Sequence, residues 1–342
     1  MSRIPIEVPT GAIRYNTDSH KMECFDGQKW WEVSVSNSDL NGGSRGFWVG
    51  AGTYSAPSWS YSNVINMVTI STAGDATDFA DLTQGVREVG GSSASRTRAI
   101  RGGGTISGSH TDTIDYFTMA QQANAIDFGN LTANRYNYGA SVTGSETRGV
   151  MQFGKDNSGN DNDTIEYITI ASTGNAVDFG NMSAARHTGQ GASSPTRTLF
   201  WGGFNSGTRL SQIDLLYTAT TGNALDFGDQ SQAQARGGCT GNSVRCLYGG
   251  GEDESSTTTR VQTVMFATTG DAIDFGDIVS KNVEYASACS SPTRGVWGGG
   301  SPSTNNVISY RTIATLGEGV DFGDLTNVGQ SRAGMSNGHG GL

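Results

Sequence analysis

Asp178, Phe179 and Gly180 form a tripeptide that could do chemistry, because the aspartate of Asp-Phe-Gly holds the catalytic magnesium in protein kinases. The phrase around it occurs six times, and successive aspartates are separated by 49, 51, 48, 48 and 47 residues. These aspartates are Asp78, Asp127, Asp178, Asp226, Asp274 and Asp321. A catalytic loop occurs once per active site, whereas a structural unit recurs at a fixed period. We therefore interpret the phrase as part of a structural repeat.

The bulk composition indicates an all-β chain. Its 342 residues include 50 glycines, and short apolar runs of Val, Ile, Thr, Tyr and Phe lie between clusters of Gly, Ser, Asn and Asp. Such runs favour strands separated by tight turns, and segments with helical periodicity are scarce.

Net charge and hydropathy exclude several partners. The formal charge is −10, which argues against nucleic acid because phosphate binding needs a basic face. No apolar run approaches the roughly 20 residues that cross a bilayer, so we expect no membrane span. The N-terminus has no apolar core of signal-peptide type, which predicts synthesis in a cytoplasm without export by the usual route.

Metal and cofactor sites are not indicated. Cys24, Cys239, Cys246 and Cys289 form no CxxC pair, and we interpret them as thiols in a reducing compartment rather than disulfides. The four histidines lack zinc-ligand spacing, so we predict no metal centre and no cofactor.

One stretch, Lys155 to Thr164, is a weak candidate for calcium. It places Asp156, Asp161 and Asp163 among asparagines, as a calcium loop does. It lacks the glycine position and the terminal glutamate of an EF-hand, so a solvated turn is favoured over a cation site.

The fourth repeat shows the anatomy of one unit. An arginine, Arg197, precedes an apolar run and the doublet Gly202-Gly203; an alternating stretch and the turn Thr221-Gly222-Asn223 then lead into the Asp-Phe-Gly phrase. This order predicts four antiparallel strands in about 48 residues. We expect the Gly-Asn pair to supply positive φ values, the phenylalanine to enter the core, and the aspartate to bond nearby backbone amides. The arginines that recur at the position of Arg197 are expected to pair with carbonyls or with the repeat aspartates.

The repeat number predicts how the units pack. A lone four-stranded sheet cannot bury both faces, but six sheets packed face to face around an axis can. The predicted fold is an all-β, six-bladed β-propeller with units at 44–94, 95–145, 146–194, 195–242, 243–291 and 292–342. The first unit lacks one strand, and the spare stretch Ser331 to Gly340 is expected to supply it and close the ring.

The order of these pieces resembles the kelch repeat. The resemblance lies in the arginine, the apolar run ending in an aromatic residue, the glycine doublet as at Gly202-Gly203, the third strand and the following turn. It covers about residues 44 to 342 and implies a propeller with about 50 residues per blade.

Residues 1–43 do not fit the repeat. Thr10 to Ser34 reads as three short strands, and Ser36 to Gly46 as a polar linker. A recognisable pattern in this segment consists of Gly11, Ile13, Arg14, Tyr15, Asn16, Thr17, Glu23, Phe25, Gly27 and Trp30. This pattern resembles a module of tail fibres and other virion proteins of tailed bacteriophages. The resemblance implies an attachment segment, in which we single out Arg14, Tyr15, Trp30 and the neighbouring Trp31.

These observations predict a structural protein of a tailed-phage virion: a tail fibre, an appendage or a capsid decoration, made in the host cytoplasm. The N-terminal segment would anchor it to other virion proteins, and the propeller would be an exposed interaction module; a homo-oligomer is compatible with this interpretation.

The alternative is an adhesin tip that binds a host receptor or glycan. The loop residues Tyr54, Trp59 and Tyr61 offer flat aromatic surfaces for sugars, although packing on a blade edge or on the N-terminal segment is the favoured explanation. An enzyme is not predicted. The sequence lacks sialidase-type boxes and the histidines of a copper oxidase, and only spatially paired carboxylates for glycoside hydrolysis stay open as a third function.

Overall fold

The computed structural model describes residues 8–17, 21–32, 44–152, 154–279, 284–302 and 305–342. These residues form 30 strands and no helix, which confirms the all-β prediction. The chain divides into two compact units, Met1–Leu40 and Asn41–Leu342. Most of the predicted linker lies outside the described residues.

The first unit contains one antiparallel sheet of three strands in sequential order. The strands are β1 (Ile13–Asn16), β2 (Lys21–Phe25) and β3 (Trp30–Glu32). The turn between β2 and β3 is closed by Asp26, whose Oδ1 accepts the backbone N–H groups of Gln28 and Lys29, both at 2.8 Å. The three predicted strands of this segment are confirmed.

The second unit contains the remaining strands. In its first part they are β4 (Arg45–Val49), β5 (Tyr54–Ser55), β6 (Ser58–Trp59), β7 (Ser62–Thr69), β8 (Thr77–Val86), β9 (Gly91–Ala94), β10 (Arg98–Ile106), β11 (Ser109–Thr118), β12 (Ile126–Arg135), β13 (Arg148–Gln152), β14 (Asn162–Thr169) and β15 (Val177–Arg186). They continue as β16 (Gln190–Ser193), β17 (Arg197–Trp201), β18 (Phe204–Asn205), β19 (Thr208–Arg209), β20 (Gln212–Tyr217), β21 (Leu225–Asp229), β22 (Gly238–Gly241), β23 (Arg245–Gly249), β24 (Arg260–Met265) and β25 (Ile273–Asp277). The last are β26 (Ser287–Ser290), β27 (Arg294–Gly298), β28 (Val307–Thr312), β29 (Val320–Asp324) and β30 (Ala333–Ser336).

The described strands of this unit assemble into six small antiparallel sheets and two hairpins, β5–β6 and β18–β19. In strand order the sheets are sheet 1 (β30-β4-β7-β8), sheet 2 (β9-β10-β11-β12), sheet 3 (β13-β14-β15), sheet 4 (β16-β17-β20-β21), sheet 5 (β22-β23-β24-β25) and sheet 6 (β26-β27-β28-β29). Sheet 1 takes its first strand from the other end of the repeat array, since β30 pairs with β4 through Ala333–Val49 and Ser336–Gly46. The pairing predicted for the C-terminal stretch is thus confirmed.

The inner strands β9, β16, β22, β26 and β30 are buried along their whole length. Each packs against its neighbours: β30 contacts β9 and β26, and β22 contacts β16 and β26. Between β9 and β16 lies the stretch 140–144, where Val142 bridges Ser92 and the Gly144 N–H donates to Ser193 Oγ at 2.8 Å. The inner strands therefore contact one another directly between sheets 4 and 5, 5 and 6, 6 and 1, and 1 and 2.

The hydrophobic core lies between neighbouring sheets. Phe47 and Phe79 of sheet 1 meet Phe117 of sheet 2, with ring centroids 5.2 Å apart for both contacts of Phe47. Burying an aromatic side chain of this size stabilises a fold by about 2–3 kcal/mol. Cys239 and Cys289 are buried within the core, and Cys239 Sγ lies 3.5 Å from Cys246 Sγ.

A series of arginines joins each sheet to the next. An arginine at the start of β4, β10, β13, β17, β23 and β27 donates through its guanidinium to a main-chain carbonyl just after β11, β14, β20, β24, β28 and β7, respectively. The pairs are Arg45–Met119, Arg98–Ile170, Arg148–Thr218, Arg197–Phe266, Arg245–Ile313 and Arg294–Ile70. The last pair leads from sheet 6 back to sheet 1. The predicted pairing of the repeat arginines with carbonyls is confirmed.

The Asp-Phe-Gly phrase is part of the joint between sheets. Phe179 is buried, as predicted, whereas Asp178 is exposed. Gly180 has a φ of 142°, and a Cβ there would overlap the carbonyl oxygen of Gly222 in the turn of the next sheet. The Gly222 N–H in turn donates to the Phe179 carbonyl at 2.8 Å. Gly180 thus allows the neighbouring turn to approach closely.

The prediction for the repeat aspartates needs correction. Asp274 does accept the N–H of Gly276, at 2.9 Å, but the recurring amide acceptor is the turn residue of the next repeat. These pairs are Asn124–Asp81, Asn175–Asn130, Asn223–Asn181, Asp271–Asp229 and Asp75–Asp324, with Oδ1 accepting the N–H at 3.0–3.1 Å. The turn asparagine was also expected to take a positive φ, but that conformation belongs to the preceding glycine, as at Gly174.

The segment 338–342, which we call the hub segment, reaches all six sheets. His339 Nε2 donates to the Ala94 carbonyl at 2.9 Å. A Cβ on Gly338, Gly340 or Gly341 would overlap atoms of neighbouring sheets. The contacted residues, one from each sheet or from a loop next to one of its strands, are Ser44, Ala94, Gly144, Ser193, Asn242 and Ser291. This segment therefore packs where the sheets converge.

Deleting residues 330–342 should lower the melting temperature by at least about 10 °C, because sheet 1 loses its inner strand and the sheets lose their shared contact. Deleting only 338–342 should give a smaller loss. Differential scanning calorimetry checks both, with deletion of residues 1–40 as the control. A 330–342 deletion that melts within a degree or two of the full chain would contradict the closure.

Protonation of His339 should destabilise the fold. Its Nδ1 accepts the Gly341 N–H at 3.2 Å, so the ring is neutral, and burial, with a minor contribution from Arg96, lowers its pKa to about 4. The unfolded ring has a pKa near 6.5, so the unfolded state binds more protons between these values. The stability contribution is complete above pH 6.5 and is lost as the pH falls towards 4, by about 3 kcal/mol. Denaturant titrations at pH 7 and 4.5 should show a smaller loss for His339→Gln; equal losses would contradict this assignment.

Candidate binding face

Strained backbone recurs at one point of the repeat. Among the described residues, seven other than glycine have positive φ, and five of them lie shortly before an inner strand. These strained residues are Glu88 (53°), Thr188 (59°), Arg236 (63°), Tyr285 (57°) and Ser331 (60°). The conformation costs an L-residue about 1–2 kcal/mol, and strain of this kind clusters at functional sites.

Main-chain hydrogen bonds hold the strained residues in place. The N–H of Tyr285 donates to the Arg236 carbonyl at 2.6 Å, and the N–H of Ser331 donates to the Tyr285 carbonyl at 3.1 Å. The series continues with Val89 N–H to Ser331 (3.3 Å) and Asn137 N–H to Glu88 (3.2 Å). The backbone at this end of the inner strands is therefore fixed by contacts from several sheets.

Aromatic side chains gather beside these residues. The aromatic face consists of His110, Tyr136, Tyr138, His187, Phe204 and Tyr285. Tyr138 is central, with ring centroids 6.0 Å from Tyr136, 6.0 Å from His187 and 5.6 Å from Tyr285. His110 stacks on Tyr136 at 3.8 Å with an interplanar angle of 11°. Sheets 2, 3, 4 and 6, or the loops beside them, all contribute to this surface.

Two arginines and two glutamates border one side of the aromatic face. Arg236 lies over the rings of Phe204 (5.0 Å) and Tyr285 (4.9 Å). Its Nη1 is 2.9 Å from Glu252 and 3.5 Å from Glu284. Arg209 Nη2 also contacts Glu252, at 2.9 Å. Glu252 and Glu284 therefore share the guanidinium of Arg236, and Glu252 also pairs with Arg209.

Asp161 borders the aromatic face beside His187. Its Oδ1 lies 2.6 Å from His187 Nδ1 and 3.1 Å from Lys155 Nζ, and its Oδ2 accepts the Ser206 N–H at 2.7 Å. The carboxylate orients the His187 ring so that Nδ1 donates and Nε2 is left as an acceptor.

Burial sets the protonation of the face. It raises the pKa of Tyr136 and of Tyr285 to about 12, so both hydroxyls remain hydrogen-bond donors. Burial also lowers the pKa of His187, although Asp161 opposes this shift. The pKa of Glu284 is raised by burial and by the charge of Glu252. The face thus presents neutral donors and acceptors between ion pairs.

The loop aromatics singled out from the sequence lie at the edge of this surface. Tyr54 and Trp59 pair across the β5–β6 hairpin, with centroids 5.2 Å apart. Arg87 lies over Trp59 (4.9 Å) and Tyr61 (5.6 Å) and pairs with the strained Glu88. Packing on a blade edge was the explanation favoured for these aromatic rings. Trp59 and Tyr61 pack on Arg87, and Arg87 connects them to the strained Glu88.

The attachment residues lie in the first unit. Arg14 contacts Glu23 at 2.7 Å and lies 4.1 Å from the Trp30 ring centroid. The Trp31 indole N–H donates to Asp26, and Lys29 Nζ lies 3.9 Å from that ring. Backbone N–H of Lys29, then this indole N–H, lower the pKa of Asp26 to about 2.

Tyr15 has a different position in the same sheet. It stands opposite Met22 in the β1–β2 pair, and 58% of its surface is exposed. The structure thus brings Arg14 and Trp30 together and leaves the Tyr15 ring largely open to solvent.

The weak calcium candidates do not converge. Asp156 closes its own turn by accepting the N–H groups of Ser158 (2.8 Å) and Asn160 (2.9 Å), while Asp161 faces His187. Asp163 lies within strand β14. In the described part of the chain, no group of three or more His, Cys, Asp or Glu side chains is arranged to hold a metal ion.

Sequence reasoning missed the aromatic face. Its tyrosines and histidines are spread over residues 110 to 285, and the face forms only when the sheets pack together. The available signal was positional: Tyr138, His187, Arg236 and Tyr285 follow one another at nearly the repeat spacing, just before the glycine- and serine-rich inner strands. Residue identity varies at this point while the adjoining strands repeat, which is typical of binding positions on a fixed scaffold.

No family model matches the sequence, and no curated protein matches it. None of the described residues belongs to a helix with the length and apolar character of a bilayer span.

Replacing the strained Ser331 by glycine should raise the free energy of unfolding by about 1 kcal/mol, because glycine adopts positive φ without a Cβ penalty. The Ser331 Oγ is also buried without a hydrogen-bond partner. Ser331→Ala is the matched control, since it removes the hydroxyl but keeps the Cβ. Urea denaturation in which the glycine variant is no more stable than the alanine variant would contradict the strain.

Proposed function

We propose that residues 44–342 form a six-bladed β-propeller, with one sheet per repeat and boundaries near 94, 145, 194, 242 and 291. Three features support it: the inner-strand contacts, the arginine series and the turn series each proceed from one sheet to the next. Each also connects sheet 6 with sheet 1, as in Arg294–Ile70 and Asp75–Asp324. A linear stack would leave its first and last sheets without these partners.

The chain is, in this proposal, a structural protein of a tailed-phage virion, whose first unit anchors it to other virion proteins. The observation that carries the proposal is the packing of the resemblance residues on one another. Arg14 and Asn16 both bond to Glu23, and Arg14 covers Trp30, which contacts Phe25. These motif positions therefore specify one face of a small sheet.

The opposite face of this sheet offers the anchoring surface. Ile13, Tyr15 and Trp31 are exposed to 64%, 58% and 53%, and the pairing register places them on the same side as Met22. A three-stranded sheet of this size needs a partner for stability, which favours attachment to a larger particle.

A binding role is favoured over catalysis for the second unit. The carboxylates at the border of the aromatic face lie in ion pairs with Arg236, Arg209 or Lys155, which occupy oxygens that acid–base catalysis would use. The recurring Asp-Phe-Gly phrase serves contacts between sheets. The propeller is therefore proposed as an interaction module exposed on the particle.

Virions purified by density gradient should contain this chain at a fixed copy number, measured by quantitative mass spectrometry. The double variant Arg14→Ala/Trp30→Ala should reduce incorporation at least tenfold, because it removes the contacts that organise the first unit. Asp178→Ala, an exposed change in the second unit, is the control and should be incorporated normally. Absence of the chain from purified particles would overturn the virion assignment.

A further inference from the structure

We propose that the aromatic face and its charged border form a binding site for a neutral oligosaccharide. The inference rests on the proposed interaction role of the second unit but not on its assignment to a virion. Its location differs from the sugar site considered for the loop at 52–63, because Trp59 and Tyr61 already lie under Arg87.

The shape of the aromatic face suits sugar rings. Sugar rings present flat C–H faces that pack on aromatic rings, and small-molecule sites combine such rings with a few fixed polar groups. Tyr138, His187 and Tyr285 lie side by side with centroids about 6 Å apart and are only half-buried. Adjacent aromatic rings at this spacing suit successive sugar units.

The acidic and basic side chains that border the aromatic face balance one another in charge. Four acids border the face, and each lies in an ion pair with a cation. The pairs are Glu88–Arg87, Asp161–Lys155, Glu252–Arg209, Glu252–Arg236 and Glu284–Arg236. Four acids and four cations leave no excess charge to attract a phosphate-rich or strongly basic ligand.

Hydrogen-bond donors and hydrogen-bond acceptors are both held in place at the aromatic face. A sugar hydroxyl both donates and accepts, so its site needs carboxylates beside guanidinium groups. Asp161 beside His187, and Glu284 with Arg236 beside Tyr285, provide them, while His187 Nε2 adds a neutral acceptor. Since ion pairs and strained backbone already hold these side chains, little conformational entropy would be lost on binding.

A chain of polar contacts leads from the aromatic face towards the β5–β6 hairpin. His110 Nδ1 lies 3.1 Å from Thr105 Oγ1, which donates to Glu88 at 2.7 Å. Glu88 pairs with Arg87, which covers Trp59. Thr105 and Glu88 are buried, so this chain holds His110 from below the surface.

The test uses the full chain on an array of neutral oligosaccharides, followed by calorimetric titration of the best binder. Tyr138→Ala and Asp161→Asn should each weaken binding at least tenfold, whereas Tyr138→Phe, which keeps the ring, should stay within about threefold. Tyr217→Ala, an exposed tyrosine on β20 away from the face, is the matched control and should bind like the wild type. Melting curves identify any variant that has lost its fold.

The outcomes are distinct. Binding that is unchanged between 50 and 500 mM NaCl and is lost only in the face variants would support a neutral glycan site. A strong salt dependence, equal binding by all variants, or recognition of a protein instead of any array glycan would overturn it. An array without hits would do the same, yet virion incorporation could still be observed, so this inference and the proposed function fail separately.

Discussion

The structure depends on one constraint: none of the small sheets of the second unit can bury both of its faces alone. The constraint is met at the joints between sheets, where a phenylalanine such as Phe179 fills the gap and the next turn bonds to its carbonyl. The first sheet provides an internal comparison. It has Ala80 in place of the phrase glycine, and the turn facing it, at 122–124, contains no glycine either. There the turn keeps only the outer bonds, through Asn124 and Ala125. Where the strand and the facing turn approach closely, both have a glycine, as at Gly180 and Gly222. At Ala80 neither has one.

The repeated polar contacts complement this burial. Each arginine of the series crosses to the next sheet and satisfies a carbonyl at a strand end that would otherwise lack a partner. In four sheets it also lies over a tyrosine of its own sheet, as Arg98 does over Tyr116 at 4.8 Å. Guanidinium groups suit this position because they combine planar stacking with several donors. The chain accordingly uses arginine far more than lysine.

Much of this architecture could be predicted from the sequence, because a period of about 49 residues samples the same local rules six times. The buried phenylalanines, the carbonyl-bound arginines and the pairing of β30 with β4 all follow from repeated pattern. Prediction from the local sequence pattern was wrong where the hydrogen-bond partner of a residue belongs to another repeat. The amide acceptor was assigned to the aspartate of the phrase, yet Asn175 of the neighbouring turn provides it. The hub segment and the aromatic face were missed for the same reason, since their contacts join residues far apart in the chain.

The location of the aromatic face follows from the same constraint. A backbone held by bonds from several sheets tolerates strain that an isolated loop would relax, so residues with bulky or charged side chains persist at positive φ. Arg236 and Tyr285 occupy such positions, and their side chains lie against each other at 4.9 Å. The residue type at these strained positions can vary, because the packing between sheets depends on the small side chains of the inner strand that follows. Variation is thereby confined to the end of the inner strands, where side chains from four sheets meet on one surface.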